Sequence, residues 1–280
     1  MNVTLREGES LRDLCWSNWE VVFHGDAVDE RGREIVKEVT SRSVDQVLLR
    51  YEPDVSEVTV ASSAIAVDRF ADALQPYVHK KLILETTTLG FVEILLCCKA
   101  LRRLGVDAFD FTYVEPGEYN RPRSRHLLHR RDFELSKDVP GYRGIPGSTL
   151  YLGDRRPPKV VFFLGYEEAR LRRAFEDLQM IRPAKSSVAF GVPAFQAGWE
   201  NDSLANNISV IRDQNIRGGV YFCGAENPCS VIELLDEMHD GLEPGERLVL
   251  APIGTKPHGI GVALFATLHE DVGVIYDHPQ

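Results

Sequence analysis

Positive charge, cysteine and long apolar runs are all scarce in this chain, and each shortage closes off a class of protein. Lys and Arg number 32 against 42 Asp and Glu, a formal net charge of −10, so general electrostatic attraction to nucleic acid is not expected and duplex nucleic acid is not an expected partner. The total says nothing about a local basic groove. The five cysteines (Cys15, Cys97, Cys98, Cys223 and Cys229) are odd in number and sit mostly in apolar runs, which reads as reduced core thiols rather than a disulfide framework. No stretch is long and uncharged enough to cross a bilayer, the nearest being Phe91 to Cys98, so no membrane partner is expected. Met1 to Arg12 is polar with no apolar core, so no secretory or transit peptide is expected, and the expected location is the cytoplasm.

What the chain does have is an alternation of short apolar runs and helical periodicities. Trp19 to Gly25, Val44 to Tyr51, Lys81 to Leu84 and Phe109 to Val114 read as strands; Asp29 to Arg42, Ala64 to Val78 and Leu89 to Leu104 read as the helices between them. The pattern restarts at Lys159 to Gly165 and continues with strands at Ser187 to Val192, Gly219 to Cys223, Leu248 to Ile253 and Val272 to Tyr276. Helices are expected at Tyr166 to Gln179, Leu204 to Asp213, Cys229 to His239 and around Ile260 to Leu268. Strands separated by helices of this length predict right-handed crossovers and mainly parallel sheets. Residues 121–157 interrupt the pattern with the basic run Arg121 to Arg131 and the turn-rich Pro140 to Gly147, an excursion expected to carry a short hairpin from Asp132–Leu135 and Thr149–Leu152. The expected fold class is α/β: two Rossmann-like lobes of similar plan, residues 1–120 and 158–280, joined by the basic, turn-rich excursion.

The two halves repeat one plan. Glu20-Val-Val-Phe-His-Gly25 matches Val160-Val-Phe-Phe-Leu-Gly165, strand, turn and apolar helix at 81–104 match those at 247–268, and Phe111-Thr-Tyr-Val-Glu-Pro116 resembles Val274-Ile-Tyr-Asp-His-Pro279. Within the repeat, Gly254-Thr-Lys-Pro-His-Gly259 joins a buried strand to a helix N-terminus, where unpaired N–H groups and the helix dipole attract anions and Lys256 adds a full charge. Gly254, Thr255, Lys256 and His258 are therefore candidate phosphate contacts. Glu226 and Asn227, in Gly224-Ala-Glu-Asn-Pro228, are placed to meet a ribose or base, although Asn227 equally suits a helix cap with Pro228 first in the helix. Gly165 and Arg170 are candidates for a further phosphate, set against a solvated helical face for Arg170 to Arg173. Thr87 and Thr88, in the Thr86-Thr-Thr88 turn, are the corresponding weaker contact of the first half. Phe195 and Trp199 could stack on a base or pack over their loop. Cys223 or Cys229 with His258 could make a nucleophile pair, against ordinary buried packing. No metal site is expected, since Cys223 and Cys229 lie outside common zinc spacing and His258 and His278 would have to converge in space.

A strand, a Gly-Thr-Lys turn, an apolar helix and a following strand ending in Tyr-x-x-Pro resembles the CARF ligand-sensing domains of prokaryotic antiviral systems and their two-lobed SAVED relatives. Gly254-Thr-Lys256 with Tyr276 and Pro279 carry the resemblance, and Thr86-Thr-Thr88 with Tyr113 and Pro116 carry a weaker copy that lacks the lysine. The resemblance implies a cyclic or linear oligonucleotide, or another nucleotide, bound between two lobes or two subunits. Such sensors are usually fused to effectors, and no nuclease, protease, TIR or membrane effector is visible in the sequence. The expected function is accordingly that of a nucleotide or oligonucleotide second-messenger binder signalling to a separate effector or complex subunit, with a homodimer among the arrangements left open. The alternative is an enzyme hydrolysing or transferring a phosphate or glycosidic bond of a nucleotide, with Lys256 as electrostatic stabiliser and Glu226 or His258 as general acid/base. A third reading is a structural subunit whose glycine turns serve packing.

Overall fold

Strands that are apolar at every position have no face to offer water, so they belong at the centre of a parallel sheet covered by helices on both sides. In the computed structural model, which describes residues 3–13, 18–42, 45–117, 135–136, 141–149 and 157–279, the runs Val160 to Leu164 and Leu248 to Ile253 take that position and are buried throughout. The chain is α/β and divides into two units, Met1–Pro116 and Gly117–Gln280, each built on a six-stranded, mostly parallel sheet. Of the excursion expected over 121–157, the basic run Arg121 to Arg131 and most of the expected hairpin lie outside the described residues.

The first unit contains β1 (Val21–His24), α1 (Glu30–Thr40), β2 (Asp45–Glu52), β3 (Glu57–Val60), β4 (Ser63–Ala66), α2 (Phe70–Leu74), β5 (Leu82–Glu85), α3 (Phe91–Arg103) and β6 (Asp110–Thr112). Its sheet order is β4-β3-β2-β1-β5-β6, with β2, β1, β5 and β6 parallel and β3 and β4 antiparallel. Asp29 opens α1 by accepting the Gly32 N–H at 2.8 Å, and Ile35 and Val39 pack on Val22 and Ile83. The single helix predicted over Ala64 to Val78 is not formed. Val58 and Val60 alternate inward and pair Glu57–Val60 with Ser63–Ala66 across a two-residue turn at Ala61, whose φ is +56°. The helix that remains ends before Pro76, which has no N–H to continue it.

The second unit contains β7 (Arg143–Gly144), β8 (Lys159–Leu164), α4 (Glu168–Asp177), β9 (Ser186–Gly191), α5 (Trp199–Asp213), β10 (Gly219–Cys223), α6 (Pro228–Asp240), β11 (Leu248–Ile253), α7 (Lys256–Leu268) and β12 (Gly273–Tyr276). The order is β10-β9-β8-β11-β12-β7, parallel except for β7 on the β12 edge. Side chains alternate between the two covers. Phe162 packs with Leu171 and Ala174 of α4 and Val210 of α5, whereas the neighbouring Phe163 meets the ring of His258 in α7. Both phenylalanines are fully buried, a contribution of about 2–3 kcal/mol each. The order β2-β1-β5-β6 of the first unit and β9-β8-β11-β12 of the second are one plan; the first adds the β3-β4 hairpin where the second adds β10. Among the described residues no helix is long and apolar enough to cross a membrane.

Candidate functional site

Open parallel sheets take ligands outside the carboxyl ends of the strands, at the point where strand order reverses. In the second unit that point lies between β8 and β11, whose last residues Leu164 and Ile253 stand in register. Gly165 and Gly254 are the next residues of the two strands. A Cβ on Gly165 would lie 3.1 Å from the Ile253 carbonyl oxygen, and one on Gly254 would lie 3.0 Å from that of Leu164 and 3.1 Å from His258 Nδ1, so the two backbones approach as closely as glycine allows. The Gly165 loop is fixed from α5: its carbonyl accepts from Ser203 Oγ at 2.8 Å and Asn207 Nδ2 at 2.9 Å, and the Tyr166 carbonyl accepts from Asn206 Nδ2 at 2.9 Å. These polar residues sit on the buried side of α5, which starts at Trp199, earlier than predicted; Trp199 is buried, so the stacking role considered for it has no open ring face.

Helix α7 also starts earlier than its apolar periodicity suggests. Thr255 is its N-cap, accepting the His258 N–H at 3.3 Å, and Lys256 and Pro257 form its first turn. The Thr255 hydroxyl donates to the Ala225 carbonyl at 2.7 Å, and the Ala225 N–H donates to the Pro193 carbonyl at 2.9 Å, so the loops after β9, β10 and β11 are joined edge to edge. This brings Glu226 beside the Gly254–Lys256 turn. Glu226, Gly254, Thr255, Lys256 and Gly165 are all half-buried, and no hydrogen bond or ion pair holds the Glu226 side chain among the described residues. Asn227 caps α6, its Oδ1 accepting the Cys229 N–H at 2.9 Å with Pro228 next in line, so of the two roles its position allows the cap is formed, and a ribose or base could meet only its Nδ2.

His258 is corrected as well. Its side chain points into the core, fully buried, with Nε2 3.1 Å from the Gly224 carbonyl and 3.5 Å from Cys223 Sγ. A carbonyl can only accept, so Nε2 carries the proton and Nδ1 is left as an acceptor with no partner among the described residues. Burial pushes its pKa down to about 4, so the ring is neutral at physiological pH and is neither a phosphate ligand nor a general acid/base open to solvent. The Cys223–His258 pair does converge, but burial raises the Cys223 thiol to about 12. Both shifts oppose a thiolate–imidazolium pair. Cys229 is half-buried and its thiol is also raised by burial.

Arg170 is buried and turned onto the chain itself. Its guanidinium grips Asp277 through two bonds of 2.6 Å, Nε to Oδ2 and Nη2 to Oδ1, and Nη1 donates to the Ile253 carbonyl at 3.2 Å. Tyr276 lies under the guanidinium at 5.8 Å, and the Tyr142 hydroxyl donates to the Arg170 carbonyl at 3.0 Å. Burial alone would lower the Arg170 pKa, and the Asp277 carboxylate more than reverses it, so the pair is a locked structural charge rather than a phosphate receptor. The Tyr-Asp-His-Pro end of β12 thus reaches α4 through Asp277, a partner that the spacing of the motif alone did not reveal. The first unit repeats the idea: Arg31 of α1 bonds Asp29, the Val114 carbonyl at 3.1 Å and the hydroxyl of Tyr113.

The corresponding turn of the first unit is filled from within. Glu85, the last residue of β5, is completely buried, and its two carboxyl oxygens accept the N–H groups of Thr87 at 2.8 Å and Thr88 at 3.0 Å as well as the Thr88 hydroxyl. Thr87 Oγ1 accepts the Val114 N–H at 2.9 Å, and Thr88 Oγ1 accepts the Gly25 N–H at 3.0 Å, closing the reversal point between β1 and β5. Thr87 and Thr88 are therefore occupied by the chain's own carboxylate. Ile253 holds the register position of Glu85 in the second unit and offers no acid. An acid ending the apolar run Leu82-Ile-Leu84 was the signal available in the sequence. No protein-family model matches the chain, and no curated protein matches it.

Proposed function

We propose that the protein binds a nucleotide or a cyclic oligonucleotide as a second messenger, with an anionic phosphate at the α7 entrance of the second unit and a separate effector protein reading the bound state. The observation that carries this reading is the difference between the two turns. Backbone N–H groups at the β5–α3 turn already hold an anion, the Glu85 carboxylate, whereas the matching β11–α7 turn ends in Ile253 and presents Gly254, Thr255 and Lys256 beside Gly165 at the point of strand reversal. An oxyanion supplied by a ligand would meet there the same kind of donors, with the Lys256 charge added. Glu226, tied to the turn through Ala225 and Thr255, is the side chain closest in sequence to that contact and the one suited to a ribose hydroxyl. Ligand would act by favouring one arrangement of the chain or its assembly over another through contacts that differ between them.

One observation favours a second reading, turnover of the ligand: the uncommitted Glu226 carboxylate beside the turn is in a position to orient water, a task the buried neutral His258 cannot share. Purified protein incubated with mononucleotides, dinucleotides and linear and cyclic oligonucleotides separates the two. Thermal shift without product supports the sensor, thermal shift with product supports the enzyme, and no shift with any member of the panel overturns both. Lys256→Ala is expected to abolish the shift while the variant keeps its own unfolding transition; an undiminished shift removes the α7 entrance from the site.

A further inference from the structure

The second sheet carries another cluster of chemistry-bearing side chains, at the edge opposite the Gly254 turn. Helices α6 and α7 lead into β11 and β12, so both end at the amino ends of those strands. His239 lies in the last turn of α6, His269 caps the C-terminus of α7, and Asp271 follows in the turn before β12. One nitrogen or oxygen from each of these three residues lies within 4.8 Å of the other two. His239 Nε2 is 3.0 Å from Asp271 Oδ2, and Asp236, one turn earlier on α6, has Oδ1 3.8 Å from His269 Nε2.

The rings are held in place by packing. The fully buried Phe265 stacks on His269 with centroids 4.2 Å apart and meets His239 edge-on at 6.0 Å, which leaves the two imidazoles 4.7 Å from one another. A hydrogen bond between His239 and Asp271 explains that pair alone. It does not explain why a second imidazole is set beside the first on an aromatic wall with a second carboxylate behind it. Two helix C-termini also converge here, and the negative ends of their dipoles favour a cation.

We propose that His239, His269 and Asp271 form a binding site for a divalent transition-metal ion of the zinc class, with Asp236 either completing the coordination or orienting His269. Two imidazole nitrogens and a carboxylate oxygen suit Zn²⁺, which takes such ligands at about 2.0–2.2 Å in a tetrahedron, and they are poor ligands for Mg²⁺ or Ca²⁺. Tetrahedral neighbours at those bond lengths stand about 3.3 Å apart, so donor atoms that lie within 4.8 Å of one another have to draw together by at most about 1.5 Å to close on an ion. The side chains of His239, His269 and Asp271 are 22, 29 and 47% exposed, which gives a metal ion access from solvent. A bound ion would clamp the end of α6 to the end of α7, the two helices whose opposite ends carry Glu226 and the Gly254 turn.

The test is titration of chelator-treated full-length protein with Co²⁺ followed by displacement with Zn²⁺. One equivalent is expected, with the visible spectrum of nitrogen and oxygen ligands, no thiolate-to-cobalt charge-transfer band, and displacement by Zn²⁺ but not by Mg²⁺. His239→Ala and His269→Ala should each weaken binding by about tenfold or more. The exposed Asp271→Asn should weaken it too while leaving the far-ultraviolet circular dichroism unchanged, so that loss of fold is not mistaken for loss of a ligand. Failure to bind Zn²⁺ or Co²⁺, a thiolate band, or affinity unaltered in His269→Ala and Asp271→Asn overturns the assignment.

Discussion

Removing the carboxylate of Asp277 should be among the most damaging single changes to the second unit. Asp277 is completely buried and Arg170 nearly so, and the bidentate pair joins α4 to the end of β12. In Asp277→Ala the guanidinium keeps, among the described residues, the Ile253 carbonyl at 3.2 Å and the face of Tyr276, and it cannot shed its proton to escape burial. Breaking one side of a buried, hydrogen-bonded ion pair costs about 3–5 kcal/mol, a large share of the roughly 5–15 kcal/mol that stabilises a typical domain. Urea unfolding at neutral pH, followed by circular dichroism, reads the loss directly. Arg170→Met should cost a similar amount, because it strands the buried Asp277. The double change Arg170→Met with Asp277→Leu leaves no uncompensated charge and should recover most of the loss, giving a strongly non-additive cycle. A cost below about 1 kcal/mol for Asp277→Ala, or a double variant whose loss is the sum of the singles, would refute the account of Arg170 as a locked structural charge.

Glu85→Gln replaces one acceptor oxygen with an NH₂ that must face the donors of Thr87 or Thr88, so it should cost about 1–3 kcal/mol and lower the urea midpoint; a neutral outcome would mean that the turn of the first unit does not depend on its internal anion. The buried His258 predicts an acid-sensitive step. Its folded pKa of about 4 lies below the ordinary 6.5, so the unfolded chain takes up the proton first, stability is fully retained above about 6.5 and falls as pH drops towards 4, by at most about 3 kcal/mol. Carboxylates titrate over part of the same range, so the quantity to measure is the difference in pH slope between wild type and His258→Gln; identical slopes would show that the ring is not held neutral.

Most of the fold was legible because the runs at 160–164 and 248–253 are apolar at every position, which only a doubly covered strand tolerates, and because Gly25, Thr86, Gly165, Gly224 and Gly254 stand directly after the strands that carry the candidate turns. The helix predicted over Ala64 to Val78 failed for a local reason. Ile65, Phe70, Ala73 and Leu74 fall roughly on one side of a helix, but Glu57-Val-Thr-Val60 supplies an edge to pair with, and strand pairing depends on a partner that one segment cannot reveal. The repeated plan was visible as paired sequences, and the shared strand order explains it: the same four-strand arrangement recurs, with β3 and β4 added at one edge of the first sheet, and β10 at that edge and β7 at the other in the second.

The candidate site was harder to read because charge in a sequence does not say where a side chain is spent. Arg170 and Asn227 are the residue types that phosphate and ribose recognition use, yet one is consumed by Asp277 and the other by the Cys229 N–H. The two turns carry the same lesson in a sharper form. The absence of lysine in Thr86-Thr-Thr88 marks it as the weaker copy; the structure supplies a stronger cause one residue earlier, where a buried acid at the end of β5 must find donors and the nearest are the N–H groups two and three residues on. At the equivalent register the second unit has Ile253, whose carbonyl turns to Arg170 instead. On the proposed reading, then, an anion arriving from solution would meet, in the N–H groups of Thr255 and Lys256, the counterparts of those that Glu85, fixed in the chain, already holds in the first unit.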